Sequence, residues 1–295
     1  MSDKQKFLVV GTPIDHSLSP KLHNAVYHKL DLNRSLEAYD PKNTTGFRQL
    51  ISELCDGAYQ GVCVTIPYKL QAYNVCDYLT ATAQSTGAVN YIRREADGSL
   101  TGDNTDAQGF AQAAERGLNI DFNNITAVVC GSGGASRAIV HALLQGGAAR
   151  VALVSRDAQG TAKQWNIPDF SLAQIVQASP DDKPGSESSV QALDYKTLLQ
   201  SNTHFDLLVN ATPLGMKDDR MPVATDWLRS NVNAVYDAVY RREGTTPLVT
   251  AARTAAIPAE DGRSMLIEQA VCGMHFWGIE ADSTPLRSIM DAVLG

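Results

Sequence analysis

The sequence is short of basic residues and has no long apolar run. Its 25 Lys and Arg are outnumbered by 32 Asp and Glu, which gives a net charge of −7. Proteins that bind nucleic acid or anionic membrane surfaces usually carry a basic patch, so we expect neither partner. No apolar segment approaches the roughly 20 residues of a transmembrane helix, and residues 1–6 lack the apolar core of a signal peptide. We therefore expect a cytoplasmic protein.

Cysteine and histidine are also scarce, and neither has the spacing of a functional cluster. The five cysteines are odd in number, scattered and without a Cys-x-x-Cys pair, which is typical of reduced core residues rather than disulfides. The six histidines lack the spacing of metal ligands, so we expect no metal site.

The apolar residues predict an α/β protein. With 295 residues, 44% of them apolar, the chain is long enough for two domains. Strands predicted at 7–10, 35–39 and 61–66 alternate with helices that begin near Pro20 and run around 47–54. This alternation is typical of a largely parallel sheet covered by helices.

The strand that starts at Gly61 is the centre of the predicted site. Pro67 ends this strand because proline cannot donate to a sheet ladder, so Thr65 and Lys69 lie at its end. A lysine beside an apolar strand end is partly desolvated, which suits it to proton exchange with a substrate. The alternative interpretation is that Lys69 only begins a surface helix, which is the commoner role of a lysine.

Two serines precede the first predicted helix. Ser19 is predicted to be its N-cap, with Pro20 as the first helical residue. Ser17 has no such role, and two hydroxyls beside a helix N-terminus also suit the binding of a small carboxylate.

Further polar residues are predicted at strand ends. A hairpin turning at Asp97-Gly98 separates Asn90 from Asp106. Asn90 could be only a turn residue, and Asp106 or Thr105 could be only a helix cap. An aspartate next to a partly buried lysine would also hold and polarise it as an acid/base pair.

A second structural unit is predicted from about residue 107. The strand 125–130, the glycine turn Gly131-Ser-Gly133-Gly134-Ala-Ser136, a helix to Gln145 and the strand 151–154 form a βαβ unit. Glycines in this position allow a pyrophosphate to approach the helix N-terminus, as in dinucleotide-binding folds. A hydrolase Gly-x-Ser-x-Gly turn is the competing interpretation, but Ala138 replaces its last glycine.

The cofactor choice is predicted from the end of the next strand. An acidic residue there binds a ribose hydroxyl, whereas an arginine suits a 2′-phosphate, so Ser155-Arg156 favours NADP. The polar run 179–189 is predicted to be a surface insertion.

Seven separated motifs, in order along nearly the whole chain, resemble those of the shikimate dehydrogenase family. They are Ser17-x-Ser19-Pro, Val64-Thr-Ile-Pro-Tyr-Lys69, Gly87-Ala-Val-Asn90, Asp103-Asn-Thr-Asp106, Gly131-x-Gly-Gly-Ala-Ser136, Asn210-Ala-Thr-Pro and Gly262-x-x-Met-Leu-x-x-Gln269.

The resemblance implies a two-domain fold and a reaction. An N-terminal α/β substrate domain at 1–106 would be completed by helices at 263–295, and a Rossmann-like domain at 107–262 would be inserted between them. The reaction would be the reversible NADPH-dependent reduction of 3-dehydroshikimate to shikimate, a step of aromatic amino acid biosynthesis by way of chorismate. The protein would act as a monomer or a homodimer.

The resemblance also implies a role for each matching residue. Lys69 and Asp106 would be the catalytic pair. The substrate would be bound by Ser17, Ser19, Thr65, Asn90, Tyr240 and Gln269. The cofactor would be bound by Gly131, Ser132, Gly133, Gly134, Ala135, Ser155, Arg156, Ala238 and Gly262.

One departure from the family pattern leaves two alternatives open. NADP-using members of the family have a motif similar to Asn-Arg-Thr-x-x-Arg after the second strand of the cofactor domain. This chain has Ser155-Arg156-Asp157-Ala-Gln-Gly160 at that place. The second arginine is missing and Asp157 adds a negative charge. The alternatives are an NAD-using or dual-cofactor enzyme that also accepts quinate, and a non-catalytic NADP-binding regulator on the same fold.

Overall fold

The computed structural model describes residues 4–15, 17–165, 189–201 and 203–294. These residues form two units. Unit 1 contains the described residues within 1–110 and 266–295, and unit 2 contains those within 111–265. The predicted polar insertion at 179–189 lies outside the described residues, apart from Ser189 at the start of a strand.

Unit 1 is built from short alternating strands and helices. Its elements are β1 (Gln5–Val10), α1 (Ser19–Lys29), β2 (Arg34–Tyr39), α2 (Thr44–Cys55), β3 (Gly61–Val64), α3 (Lys69–Val75), β4 (Tyr78–Leu79), α4 (Ala81–Thr86), β5 (Tyr91–Arg94), β6 (Leu100–Asp103), the start of α5 (Asp106–Leu118), the end of α11 (Gly262–Phe276) and α12 (Ser283–Leu294). The predicted strands at 7–10 and 35–39, the helix around 47–54 and the hairpin are therefore confirmed, whereas the strand predicted at 61–66 is present but ends at Val64.

The sheet of unit 1 has the strand order β2-β1-β3-β5-β6-β4. The first three strands are parallel, and β5 and β6 form an antiparallel hairpin beside β3. As a result the carboxyl ends of β1, β3 and β6 and the amino end of β5 lie at the same sheet edge. This arrangement brings the predicted site residues of unit 1 to one edge.

Alternating residues of β1 cover the two faces of this sheet. Phe7 and Val9 pack in a core with Leu22 of α1 and Met274 of α11, whereas Leu8 and Val10 pack in a second core with α2. The period of two follows from the pleat of the strand. Because α11 and α12 cover the first face, the C-terminal helices complete unit 1, as the family resemblance implied.

Unit 2 is a fully parallel α/β unit. It contains the end of α5, β7 (Thr126–Cys130), α6 (Gly134–Gln145), β8 (Arg150–Ser155), α7 (Ala158–Trp165), β9 (Ser189–Asp194), α8 (Tyr195–Gln200), β10 (Phe205–Asn210), α9 (Thr225–Asn231), β11 (Val232–Asp237), α10 (Pro247–Thr254), β12 (Ala259–Glu260) and the start of α11. The strand order is β12-β11-β10-β7-β8-β9. The order therefore reverses between β7 and β10, which is where open α/β sheets bind ligands.

Two local predictions are wrong. Ser19 does not cap α1, because the helix already includes it and Leu18 takes the N-cap position without a side-chain bond. The hydroxyl that bonds near the helix start is that of Ser17, which accepts from the Ser19 N–H at 3.3 Å. The run 233–240 predicts a strand that reaches Tyr240, but β11 ends at Asp237, whose carboxylate accepts from the Val239 N–H in the following turn.

All five cysteines are free thiols. Within the described ranges, no helix is both long enough and apolar enough to span a bilayer.

Candidate active site

Two predicted site residues, Thr65 and Asn90, lie at the shared edge of the unit 1 sheet. Thr65 directly follows β3, and its N–H donates to the Val10 carbonyl at 2.8 Å. Asn90 directly precedes β5, accepts from the Val64 N–H at 2.7 Å and donates its own N–H to Asp103 at 3.0 Å. Backbone pairing across three strands therefore fixes the position of Asn90.

Lys69 and Asp106 form a close ion pair at this edge. The Lys69 Nζ lies 2.5 Å from the Asp106 Oδ2, and the two side chains are only 12% and 6% exposed. Lys69 is the first residue of α3, as the surface-helix interpretation expected, but its side chain is largely buried. The pair is thus part of a built polar cluster rather than a solvated surface contact.

Asn90 is the centre of this cluster. Its Nδ2 donates to the Asp106 Oδ1 at 3.0 Å and to the Thr105 Oγ1 at 3.0 Å, while its Oδ1 accepts from the Thr105 N–H at 2.8 Å. Asp106 therefore uses one carboxylate oxygen for Lys69 and the other for Asn90. Because both oxygens are engaged, the orientation of the carboxylate is fixed.

Gln269 joins the same cluster from α11. Its Oε1 lies 3.4 Å from the Asn90 Nδ2, and its carbonyl accepts from the Thr105 Oγ1 at 3.0 Å. A glycine makes this approach possible, because a Cβ on Gly109 of α5 would lie 2.7 Å from the Gln269 backbone nitrogen. Gly109 therefore lets α5 and α11 touch where both contribute to the site.

His23 connects the Ser19 backbone to Tyr91, which follows Asn90 in the chain. The His23 Nδ1 lies 2.9 Å from the Ser19 carbonyl and its Nε2 lies 3.0 Å from the Tyr91 hydroxyl. A carbonyl can only accept, so Nδ1 carries the proton and Nε2 accepts from Tyr91, the neighbour of Asn90. Complete burial lowers the pKa of His23 to about 4 and raises the pKa of Tyr91 well above its usual value.

The glycine turn of unit 2 has the features of a dinucleotide site. Gly131 has φ +119°, and a Cβ there would lie 2.8 Å from the Ala211 carbonyl, so the turn after β7 closely approaches the loop after β10. A Cβ on Gly133 would meet nothing within 4 Å, and no side chain caps α6. The predicted residue Ser132 lies in the same turn and Ala135 lies in the first turn of α6, among the amide donors of the helix start.

The predicted 2′-phosphate residues lie at the carboxyl end of β8. Ser155 is buried and its hydroxyl bonds that of Thr161 at 2.8 Å, whereas Arg156 is exposed. The Asp157 Oδ1 accepts from the Gly160 N–H at 2.9 Å at the start of α7. Asp157 thus has a structural role, as the residue that bonds the first turn of α7.

Two other predicted residues of unit 2 touch each other. The Gly262 N–H donates to the Val239 carbonyl at 3.0 Å, and a Cβ on Gly262 would lie 2.4 Å from the Ala238 carbonyl. Ala238 follows β11, at the same sheet edge as the glycine turn. Tyr240 lies two residues farther on in unit 2, and its predicted contact with substrate stays a prediction.

Sequence reasoning missed Thr105 and His23 as parts of the site. Thr105 was visible only as a possible helix cap, although it stands in the polar run that follows β6. His23 follows Ser19 by one helical turn, a spacing that could have indicated the link. Among the described residues, no group of His, Cys, Asp and Glu is arranged to hold a metal ion.

Comparison with known proteins identifies the family. A family model described as the shikimate dehydrogenase substrate binding domain matches residues 9–92. The chain is 34% identical over 284 residues to the shikimate dehydrogenase (NADP(+)) of Rubrobacter xylanophilus, a match that covers 95% of this chain and 93% of that protein.

Two solved structures are similar over nearly their whole length. Shikimate 5-dehydrogenase from Thermus thermophilus, in complex with NADP(H) and shikimate, is 28% identical with a TM-score of 0.75, and the match covers 98% of this chain and 99% of that one. Shikimate dehydrogenase from Thermotoga maritima is 28% identical with a TM-score of 0.78, covering 99% and 100% of the two chains. The fold, the ordered motifs and these similarities together establish that the chain belongs to the shikimate dehydrogenase family.

Proposed function

We propose that this protein catalyses the reversible, NADPH-dependent reduction of 3-dehydroshikimate to shikimate, with Lys69 and Asp106 as the acid/base pair. The observation that carries the proposal is the buried ion pair of these two residues, held by Asn90 at the sheet edge. Family membership supports the choice of substrate and cofactor. In this proposal unit 1 is the substrate domain and unit 2 is the cofactor domain, which the family resemblance places at 1–106 with 263–295 and at 107–262.

Lys69 is suited to act on a carbonyl oxygen. An ammonium has three N–H donors, and within the described ranges the one hydrogen-bond partner of the Lys69 Nζ is Asp106. Two donors remain for a substrate oxygen. As the ketone is reduced, Lys69 stabilises the charge that develops on this oxygen and gives it a proton, which completes the alcohol.

Asp106 keeps Lys69 in position for this step. Its second carboxylate oxygen is bonded to Asn90, so the carboxylate cannot turn away from the ammonium. In the reverse direction Lys69 takes the hydroxyl proton, and the negative charge of Asp106 stabilises the ammonium that results.

The hydroxyls and amides around this pair would hold the substrate. Ser17 precedes α1 and Ser19 is its first residue, where hydroxyl and amide donors suit the substrate carboxylate. Thr65, Asn90 and Gln269 offer hydrogen bonds to its hydroxyl groups from the shared edge and from α11. We assign Tyr240 to the same task.

The residues of unit 2 fit a dinucleotide. The open space at Gly133 and the uncapped start of α6 suit a pyrophosphate, with Gly131 and Ser132 in the turn and Gly134 and Ala135 in the first turn of α6. NADPH supplies the hydride when it is bound. Ser155 and Arg156 would hold the 2′-phosphate, and Ala238 and Gly262 would line the other side of the switch point.

The exposed guanidinium of Arg156 favours NADP over NAD. A guanidinium makes charge-assisted and often bidentate bonds to phosphate. Asp157 lies next to it, but its carboxylate is bonded to the Gly160 N–H at 2.9 Å and is therefore directed to α7. We expect a preference for NADP that is narrower than that of a site with two arginines.

The cellular setting and the assembly are also proposed. Five free thiols suit a reducing compartment, and we propose that the protein is cytoplasmic. We propose a monomer or homodimer, which light scattering after size-exclusion chromatography would distinguish.

A matrix of two substrates and two cofactors tests the function. Shikimate and quinate are each assayed with NADP and NAD, by following the absorbance of the reduced cofactor. We expect the highest kcat/KM for shikimate with NADP. Faster turnover of quinate, or of either substrate with NAD, would replace the proposal by the dual-cofactor alternative. Cofactor binding without turnover in all four combinations would favour the non-catalytic regulator.

A further inference from the structure

A buried carboxylate in unit 2 has no role in the function proposed above. Asp237 is the last residue of β11 and is fully buried, together with Asn210 at the end of β10 and Thr246 before α10. Burying an ionisable carboxyl is costly unless hydrogen bonds satisfy it. The presence of this group in the core therefore requires an explanation from its surroundings.

The carboxylate of Asp237 is bonded on both oxygens. Its Oδ1 accepts from the Asn210 Nδ2 at 2.9 Å and from the Val239 N–H at 3.1 Å, and its Oδ2 accepts from the Thr246 Oγ1 at 2.6 Å. Burial raises the pKa of Asp237 to about 6, against the lowering effect of these bonds. At neutral pH the carboxylate form predominates, which is the form that accepts from all three donors.

These bonds join two loops at the carboxyl edge of the sheet. Asn210 also donates to the Leu214 carbonyl at 3.2 Å and accepts from the Thr212 hydroxyl at 2.7 Å, which fixes the loop 211–216. Thr246 ends the loop 238–246 and accepts from the Val249 N–H, which fixes its junction with α10. Asp237 therefore connects both ends of the loop 238–246 to Asn210, at the base of the loop 211–216.

Arginines add further bonds between and within these loops. The Arg241 Nε donates to the Gly215 carbonyl at 2.8 Å, and so joins the two loops a second time. The Arg263 Nη2 donates to the carbonyls of Arg241 at 2.9 Å and Gly244 at 3.1 Å. The two loops are thus held as one wall beside the switch point between β7 and β10.

We propose that Asp237 is a positioning residue that holds the loops 211–216 and 238–246 together as one wall of the cofactor site. The proposal rests on the proposed function, because that function places Ala238 and Gly262 against the cofactor. The loop 211–216 is part of the same site, because the Ala211 carbonyl would lie 2.8 Å from a Cβ on Gly131 in the glycine turn. Because the two loops are already ordered before the cofactor binds, binding does not include the entropy cost of ordering them.

The test uses Asp237→Asn in the full chain, with NADP binding measured by titration calorimetry. Asparagine keeps one accepting oxygen and replaces the other by an NH2 group, so the charge-assisted bonds of the carboxylate are lost and the Thr246 hydroxyl can no longer donate at that position. We expect the dissociation constant for NADP to rise by roughly tenfold or more, which corresponds to the loss of a buried hydrogen bond. We expect the same rise in the KM for NADP.

The matched control is Asp206→Asn in the same sheet. Asp206 stands at the opposite edge, where its carboxylate accepts from the Thr126 N–H at 2.9 Å and from the Asn233 Nδ2 at 3.2 Å. The variant makes the same chemical change at a residue that also joins neighbouring strands. This residue lies away from the proposed cofactor edge. We expect it to lower the melting temperature and to bind NADP as the wild type does.

A second pair of variants covers the case in which Asp237→Asn does not fold. Thr246→Val removes the hydroxyl that donates to Asp237, whereas Thr246→Ser keeps it. We expect weaker NADP binding for the first variant and wild-type binding for the second. Wild-type NADP affinity in Asp237→Asn or in Thr246→Val, with only the melting temperature lowered, would overturn the positioning role.

The wild-type titration separates this inference from the proposed function. A wild-type protein that binds neither NADP nor NAD would overturn both. A wild-type protein that binds NADP, with variants that bind it equally well, would overturn the positioning role alone.

Discussion

Replacing His23 with glutamine should change how the stability of unit 1 depends on pH. The His23 ring is fully buried between the Ser19 carbonyl and the Tyr91 hydroxyl, and packs with Tyr27 and Trp277. Burial lowers its pKa to about 4 from the ordinary 6.5, because the charged ring would lose its hydration. At pH values between these two pKa values, the unfolded chain therefore binds a proton at His23 and the folded chain does not.

The sign and size of the effect follow from this difference. Above pH 6.5 the ring is neutral in both states, and the full stability is present. As the pH falls from 6.5 towards 4, only the unfolded chain takes up the proton, so stability is lost. The pKa difference corresponds to a loss of roughly 3 kcal/mol, at about 1.4 kcal/mol per unit.

The assay is urea unfolding at a series of pH values, followed by tryptophan fluorescence. The chain has three tryptophans, and Trp165 and Trp227 lie in unit 2. Changing both to phenylalanine leaves Trp277, whose ring centroid is 5.9 Å from that of His23, as the reporter of unit 1. The free energy of unfolding is then compared between this background and the same background with His23→Gln.

The result is judged by how the difference in the free energy of unfolding between the two proteins changes with pH. The size of this difference at neutral pH does not decide it. A constant offset reports lost packing, whereas a difference that shrinks by roughly 3 kcal/mol between about pH 6.5 and about pH 4 reports the titration of His23. The control is His28→Gln, because the ring of His28 on the same helix is exposed in the folded chain. Parallel curves for the background and for His23→Gln would refute the reasoning.

Three further predictions concern the cofactor, the helix contact and the serines. Arg156→Ala should abolish the NADP preference and leave NAD kinetics nearly unchanged; a retained preference in the ratio of the two kcat/KM values would place the 2′-phosphate elsewhere. Gly109→Ala should lower the melting temperature and kcat together, because its Cβ would lie 2.7 Å from the Gln269 backbone nitrogen; an unchanged kcat would show that this contact does not position the site. Ser17→Ala should raise the KM for shikimate and cost up to about 1 kcal/mol in urea unfolding, because its hydroxyl accepts from the Ser19 N–H; an unchanged KM would remove Ser17 from the substrate site.

The strands, the glycine turn and the family motifs could be predicted because their signals are local. The alternation of Phe7 to Val10 and the apolar run of β7 each occupy a few consecutive residues, and the pleat converts them directly into buried faces. The short strands β4 and β12 were not predicted, because two residues carry no periodicity. The cap at Ser19 was wrong because the turn that ends on Ser17 decides where the helix begins.

The connections within the site could not be predicted from local patterns. Thr105 bonds the Gln269 carbonyl, and Asn90 bonds the Gln269 side chain, across sequence separations of 164 and 179 residues. His23 is one of several polar residues in the sequence of α1, and only its contacts reveal a neutral ring with a fixed tautomer. Which polar residues share an edge depends on the strand order, which the sequence leaves open.

Exchange of Lys69 for methionine tests the central claim most directly. Methionine keeps an unbranched side chain of similar length but removes the ammonium that pairs with Asp106. Lys42→Met is the matched control, because that lysine is 76% exposed and pairs with Asp40 outside the proposed machinery. The measurement is kcat for shikimate oxidation with NADP, beside the NADP dissociation constant of each variant.

The account predicts that Lys69→Met loses roughly a hundred- to ten-thousand-fold in kcat, the usual contribution of a general acid/base group, while its affinity for NADP is unchanged. Lys42→Met should keep the wild-type kcat. A folded Lys69→Met variant that retains more than about a tenth of wild-type kcat would contradict the assignment of Lys69 as the proton donor.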